Sequence, residues 1–368
     1  MNIVYVANDK YAQHLAVSMY SLLDANMAAD EIDIYVISTG ISEDSAAKLK
    51  SITDEFDRSL HILDLSDIKE RFGYETHSGK FDISAMGRFF LGAVLPGGRD
   101  GNQSAPEASG DGSPSMREGS DEAVWTAETQ TEAGTGQSQM GAGEQSDRYL
   151  YLDCDTAVCA SLEQLYNKDL KGNICGAVME PTIYAQTKKM IGLKKTDKYF
   201  NSGVLLIDMK AWREAEIDAK LRAYYRGIDG KSAFCDQDAI NAVLKGRILP
   251  LPPRYNFFSN YYYFDYSALV KLDRNYMGFS ERAFKLAKAH PTVVHYAGDE
   301  RPWIKGSCNP YGHIYRDYLK MTPWAGTPQE EGKERYMAAY HAMNLMTKFA
   351  PGLRRVISEG YAKRLYGK

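Results

Sequence analysis

Tyr149-Leu150-Tyr151-Leu152-Asp153-Cys154-Asp155 is an apolar run that ends in two carboxylates one residue apart. Four apolar or aromatic residues in a row suit a strand covered on both faces. Strand side chains alternate with period two, so Asp153 and Asp155 share one side of the extended backbone. Two like charges there are costly unless a cation lies between them. The pair therefore reads either as a divalent-metal site or as the nucleophile and acid/base of a phosphatase. The rest of the chain has to choose between them.

Upstream, residues 2–7 read as a strand, followed by the polar turn Asn8-Asp9-Lys10-Tyr11 and a helix over 13–26 with Leu15, Met19, Leu22 and Leu23 on one face. Strands are predicted at 32–37 and 60–63, with a helix between them that starts at Ser42 and has acidic residues in its first turn. This alternation predicts an α/β fold with a mostly parallel, Rossmann-like sheet flanked by helices. Ligands of such sheets bind outside the carboxyl ends of the strands, where Asn8, Asp9, Tyr11, Asp153 and Asp155 all stand. Residues 84–95 read as a helix carrying Arg88 beside Phe89, Phe90 and Leu91. Arg88 reads first as a surface arginine; turned inward it would reach an anionic ligand.

Downstream, a short helix is predicted at 160–166 and a strand at 174–179 that ends in Glu180-Pro181. Asn201, Ser202 and Gly203 come just before an apolar strand at 204–208. The amide and hydroxyl suit a polar ligand, and the glycine allows close backbone approach. A helix over 209–225 follows. Asp236 reads as the cap of a helix that carries Gln237 and Asp238 in its first turn. Residues 250–266 are rich in aromatic rings, which serve equally as core, lid or sugar-stacking surface. In Val293-Val294-His295-Tyr296-Ala297-Gly298-Asp299-Glu300-Arg301-Pro302-Trp303, a strand delivers His295, and a loop then adds Gly298 and the cation Arg301.

The chain has 368 residues, 44% of them hydrophobic, with a net charge of −4, so a global nucleic-acid footprint is not indicated. Five scattered cysteines without a CxxC pair fit a reducing compartment. Without a leader pattern or a membrane-spanning run, the expectation is a cytoplasmic protein, soluble or peripheral on the inner face of a membrane. Residues 97–146 are rich in Gly, Ser, Glu, Gln and Thr and read as a disordered insert within one domain spanning 1–310. Long insertions add little closure entropy, so the flanking elements are free to be neighbours. Residues 311–368 read as a helical, basic C-terminal extension. Its aromatic and Met residues recur at helical spacing and would lie on an anionic membrane, pack on the domain or bind a partner.

Taken together, Val-Ala-Asn-Asp-Lys-Tyr, Arg88, Tyr-Leu-Asp-Cys-Asp, Phe-Asn-Ser-Gly-Val-Leu-Leu-Ile, Asp-Gln-Asp and His-Tyr-Ala-Gly-Asp-Glu-Arg-Pro-Trp make the chain resemble the family-eight glycosyltransferases over residues 1–96 and 148–310. The resemblance implies an A-type glycosyltransferase fold. It also implies a retaining, metal-dependent transfer of galactose or glucose from a UDP-sugar to a saccharide or lipid-linked acceptor. By the same resemblance Asp153, Asp155 and His295 would ligate Mn²⁺, with Mg²⁺ the second candidate. Ala7, Asn8 and Tyr11 would line the uridine pocket. Arg88, Asn201 and Ser202 would hold the sugar and ribose, with Cys154 beside them. Gly298 and Arg301 would contact the diphosphate. Gln237 would lie near the anomeric carbon, and Asp236 would bind sugar hydroxyls.

The donor set agrees: two carboxylates and one imidazole suit Mn²⁺ or Mg²⁺ better than Zn²⁺, which prefers nitrogen and sulfur. The family usually has Lys where this chain has Arg301, and arginine still binds phosphate, through a planar fork. A retaining mechanism calls for a nucleophile or for attack on the leaving-group face. Asp238 is a candidate nucleophile and the Gln237 amide a poor one, which favours front-face displacement. The alternatives are a non-catalytic nucleotide-sugar binder and a haloacid-dehalogenase-type phosphatase, whose motif normally opens its domain.

Overall fold

The seven-stranded sheet of the computed structural model is ordered β3-β2-β1-β4-β7-β6-β8. Its strands are β1 (Asn2–Ala7), β2 (Asp33–Ser38), β3 (Ser59–Asp64), β4 (Arg148–Leu152), β6 (Cys175–Met179), β7 (Phe200–Asp208) and β8 (Ile248–Leu251). All run parallel except β7, which pairs antiparallel with both β4 and β6. A second sheet joins β5 (Thr156–Val158), β10 (Val293–His295) and β9 (Phe257–Phe258). The structure describes residues 1–74, 82–97, 147–230, 232–354 and 356–357. Nearly all of the predicted insert therefore lies outside the described residues.

The apolar run of β4 is explained by two hydrophobic layers. Tyr149 and Tyr151 face one layer with Val4, Val6, Leu205 and Ile207, while Leu150 and Leu152 face the other with Ile3, Tyr5, Val204 and Leu206. The helix Ala12–Ala25 buries Leu15, Met19, Leu22 and Leu23 in the second layer, the face its spacing predicts. Each such side chain contributes ~1.5–3 kcal/mol of burial. The chain flanking the insert is held together by Arg213. It donates to the Leu95 and Pro96 carbonyl oxygens at 3.0 and 2.7 Å and lies 3.7 Å from Asp147 Oδ1.

Four expectations change. Residues 84–95 form a 3-10 helix, Ile83–Phe90, that passes into the α-turn Leu91–Val94. The helix expected over 209–225 is two helices, Met209–Glu214 and Ile217–Gly227, parted where Glu216 takes a left-handed φ of 51°. Strand β7 begins at Phe200, so Asn201, Ser202 and Gly203 lie inside it. Asp236 does not cap its helix: Asp236–Val243 follows Cys235, which makes no side-chain cap. In the tail, Glu334–Phe349 is one helix that buries Met337, Asn344 and Thr347 against the domain, so this part packs on the protein.

Candidate active site

Strands β1, β4 and β6 point the same way, so Asn8, Asp153 and Glu180 follow their carboxyl ends on one sheet edge. The reversal of β7 brings the start of that strand, Asn201 and Ser202, to the same edge. Here a cavity of about 840 Å³ opens, lined among others by Asp153, Asp155, His295 and Arg301.

Asp153, Asp155 and His295 offer ligand atoms all within 4.8 Å of one another. His295 Nε2 is 3.2 Å from Asp155 Oδ1 and 3.8 Å from Asp153 Oδ2. His295 Nδ1 donates to the Asn256 amide oxygen at 2.9 Å, which leaves Nε2 to face the carboxylates. Asp153 is oriented in the same way. Its Oδ1 accepts from Tyr151 Oη at 2.7 Å and from Arg88 at 2.9 Å, and Oδ2 is left toward His295. Burial alone would push the His295 imidazole down, yet Asp155, Asp153 and Glu180 raise its pKa. The pocket thus favours positive charge at this point, and an oxygen-rich set with one oriented imidazole fits Mn²⁺ or Mg²⁺.

Arg88 is buried, contrary to the surface reading. It bridges Asp153 and Asp236, with Nε 2.7 Å from Asp236 Oδ2, donates to the Ser202 carbonyl at 2.9 Å and stacks 4.8 Å over the Tyr151 ring. The 3-10 path turns it inward, where one guanidinium offsets two carboxylates. Burial pushes the Asp236 carboxyl up to about 7 against the pull of Arg88. Ser202 Oγ donates to the same carboxylate at 3.3 Å.

Gln237 lines the cavity with every polar atom engaged. Its oxygen accepts from Asn201 at 2.6 Å and the Ser202 amide at 3.2 Å, and its nitrogen donates to Glu180 at 3.1 Å and Tyr199 Oη at 3.0 Å. Asp238 is fully buried and does not line the cavity; it accepts from Tyr199, Ser232 and the amides of Ala233 and Phe234. It pins the entry of its helix. A further carboxyl that lines the cavity, beside Asp153, Asp155 and Asp236, is Glu180, to which the sequence assigned no role. Its signal was its place after an apolar strand on the ligand-binding edge.

Burial pushes Glu180 up to about 7 from 4.5, despite hydrogen bonds from Asn201 and Gln237. A carboxyl whose folded-state pKa is raised holds its proton better in the folded protein. Its ionisation therefore costs stability that falls away as pH rises from 4.5 to about 7. Relative to wild type, Glu180→Gln should gain up to ~3 kcal/mol in unfolding free energy between about pH 5 and about pH 8, read by urea melts. A difference that does not change with pH would refute this.

Of the expected uridine side, Tyr11 reaches the cavity next to Arg301, while Ala7 is buried and Asn8 caps the short turn Asp9–Tyr11 by accepting the Tyr11 amide at 3.3 Å. Cys154 lines the cavity and donates to the Val6 carbonyl at 3.3 Å. Gly298 has a φ of +95°, which only glycine adopts freely, and its carbonyl accepts from Arg301 Nε at 3.0 Å. That bond points the guanidinium at Asp155, 3.8 Å away. Gly203 also belongs to the site. A Cβ there would lie 2.5 Å from His295 Cε1 and 2.7 Å from Asp153 Oδ2.

Residues 142–306 match the family described as Glycosyl transferase family 8. The chain is 25% identical over 326 residues to General stress protein A of Bacillus subtilis, covering 88% of this chain and 94% of that one. It is 30% identical over 189 residues to a Lipopolysaccharide 1,2-glucosyltransferase of Escherichia coli K12, and here it spans about half of each protein, 51% and 53%. Its fold is that of the galactosyltransferase LgtC solved with donor and acceptor sugar analogs, with a TM-score of 0.63 and 22% identity over 88% of this chain and 96% of that one.

Proposed function

We propose that this glycosyltransferase, whose residues 142–306 match glycosyl transferase family 8, transfers galactose or glucose from a UDP-sugar to a saccharide or lipid-linked acceptor. The observation that carries this reading is the Asp153, Asp155 and His295 cluster beside Arg301, all of them lining the cavity. Asp153, Asp155 and His295 would hold Mn²⁺ or Mg²⁺, which supplies charge neutralisation for the departing UDP. The chain places its own cation, Arg301, for the same developing charge. Tyr11 offers the uracil a ring at the cavity wall, and Asp236 and Glu180 offer hydroxyl partners for the sugar.

The chemistry supports transfer with retention by front-face displacement. The Gln237 oxygen already accepts two hydrogen bonds and Asp238 is sealed behind the cavity, so neither presents a free nucleophile. The acceptor hydroxyl then attacks on the face that UDP leaves, forming the new glycosidic C–O bond as the bond to the diphosphate breaks, and the departing phosphate takes the hydroxyl proton. A covalent sugar adduct on Glu180 would overturn this step, and an inverted product would overturn retention. The phosphatase alternative falls with the family match.

Turnover tests the whole reading against a non-catalytic binder. Release of UDP from one UDP-sugar in a panel is expected with Mn²⁺ and to stop with a chelator. UDP binding without turnover of any donor, in the presence of saccharide acceptors, would favour the binder. Among the described residues no helix is long and apolar enough to cross a membrane.

A further inference from the structure

Beyond His295 the chain leaves the sheet, and four residues, 298–301, carry the cation toward Asp155. Two of them, Asp299 and Glu300, are held by one helix, Glu334–Phe349. The Tyr340 hydroxyl lies 3.3 Å from where a Cβ of Gly298 would stand and faces the Asp299 amide. Tyr336 Oη donates to Asp299 Oδ2 at 2.6 Å. Glu300 is only 6% exposed, and its carboxylate accepts from His341 Nδ1 and Asn344 Nδ2, both at 2.7 Å, as well as from the Cys308 amide at 3.1 Å. Tyr336, Tyr340 and Asn344 are four residues apart and form one stripe of the helix; Met337 and His341 form the stripe beside it.

A buried carboxylate is tolerated only when its lone pairs are met, so Glu300 ties the loop to this helix. The same helix reaches the cavity: Tyr336 and Met337 line it.

We propose that the C-terminal helix Glu334–Phe349 is a positioning element of the donor site, fixing the loop 298–301 through Glu300 so that Gly298 and Arg301 meet the donor's diphosphate. The proposal rests on the UDP-sugar reading above. Arg301 depends on the helix at one remove: its Nε is anchored on the Gly298 carbonyl, and the loop around that carbonyl is anchored on Tyr336, Tyr340, His341 and Asn344.

Coupling between two sites is reciprocal. Nucleotide binding should therefore tighten the helix, and loosening the helix should weaken nucleotide binding. In hydrogen exchange on the full chain, UDP with Mn²⁺ is expected to slow the amides of Glu334–Phe349 by about fivefold or more, besides those of the loop. His341→Ala and Asn344→Ala should each raise the Kd for UDP with Mn²⁺ by about fivefold or more, and KM for the UDP-sugar more than they lower kcat. His341→Gln, which keeps a donor for Glu300, should restore part of the affinity. Leu345→Ala, on the solvent side of the same helix, should match wild type.

A wild type that does not bind UDP with metal overturns the donor reading itself. A wild type that binds UDP while the helix amides do not respond overturns the positioning role alone. So do folded His341 and Asn344 variants with unchanged Kd.

Discussion

Asp155→Asn is expected to leave a folded protein whose kcat/KM for a UDP-sugar has fallen by ~10³-fold or more and whose UDP affinity no longer responds to Mn²⁺. The substitution keeps the size of the side chain and removes one charge. Although burial alone would raise its pKa, the neighbouring His295, Arg301 and His14 hold the Asp155 carboxyl well below the ordinary carboxylate range, so it is ionised at any working pH. It is also the carboxylate nearest to both the imidazole, at 3.2 Å, and the guanidinium, at 3.8 Å. On the proposed reading its loss takes a metal ligand and the counter-charge of Arg301 at once. Titration calorimetry with Mn²⁺ and UDP, beside a UDP-release assay, reads both effects. Turnover within a fewfold of wild type would mean that the reaction is organised elsewhere in the cavity.

Much of this site is legible in one strand. The run through 149–155 announces its burial by being apolar on both faces, and the two aspartates follow at period two. The order of strands and helices then places Asn8, Asp153 and the start of β7 on one edge. The reading fails where a residue's role depends on a partner far along the chain. Arg88 looks like a surface arginine because its local pattern is helical; its burial follows from Asp153 and Asp236, which lie 65 and 148 positions away in the sequence. Asp236 has the position of a helix cap but is drawn off by that same guanidinium. Asp238, two residues on, takes up the amides of Ala233 and Phe234 instead. Glu180 carries no motif at all. It acquires its raised pKa from burial beside Gln237, an environment that only the packed sheet edge creates. The C-terminal helix shows a spacing of Tyr and Met residues that suits a membrane or a domain equally. The buried Glu300, in another element, shows that one face of this helix packs on the domain.

Gly203→Ala adds a single methyl group and is expected to damage the proposed metal site. Gly203 lies inside β7, where its carbonyl accepts the Asp153 amide at 2.8 Å and its own amide donates to Asn201 Oδ1 at 2.8 Å. Backbone movement away from the overlap would break both bonds. The added Cβ would meet His295 Cε1 at 2.5 Å and Asp153 Oδ2 at 2.7 Å, well inside ordinary contact. Neither neighbour is free to yield: His295 is tied to Asn256, which in turn donates to Asn201 at 2.8 Å, and Asp153 is tied to Tyr151 and Arg88. The strain should appear as ~1–3 kcal/mol of lost stability and as spreading of the two ligands that flank the methyl group. Metal affinity is then expected to fall by ~10–100-fold, the range typical when the support of a ligand is disturbed. Mn²⁺ titration followed by water-proton relaxation, with a thermal melt of the same sample, separates the two effects. A G203A variant that binds Mn²⁺ like wild type would show that Asp153 and His295 do not ligate the ion together. The assignment of all three ligands would then have to be rebuilt around Asp155 alone.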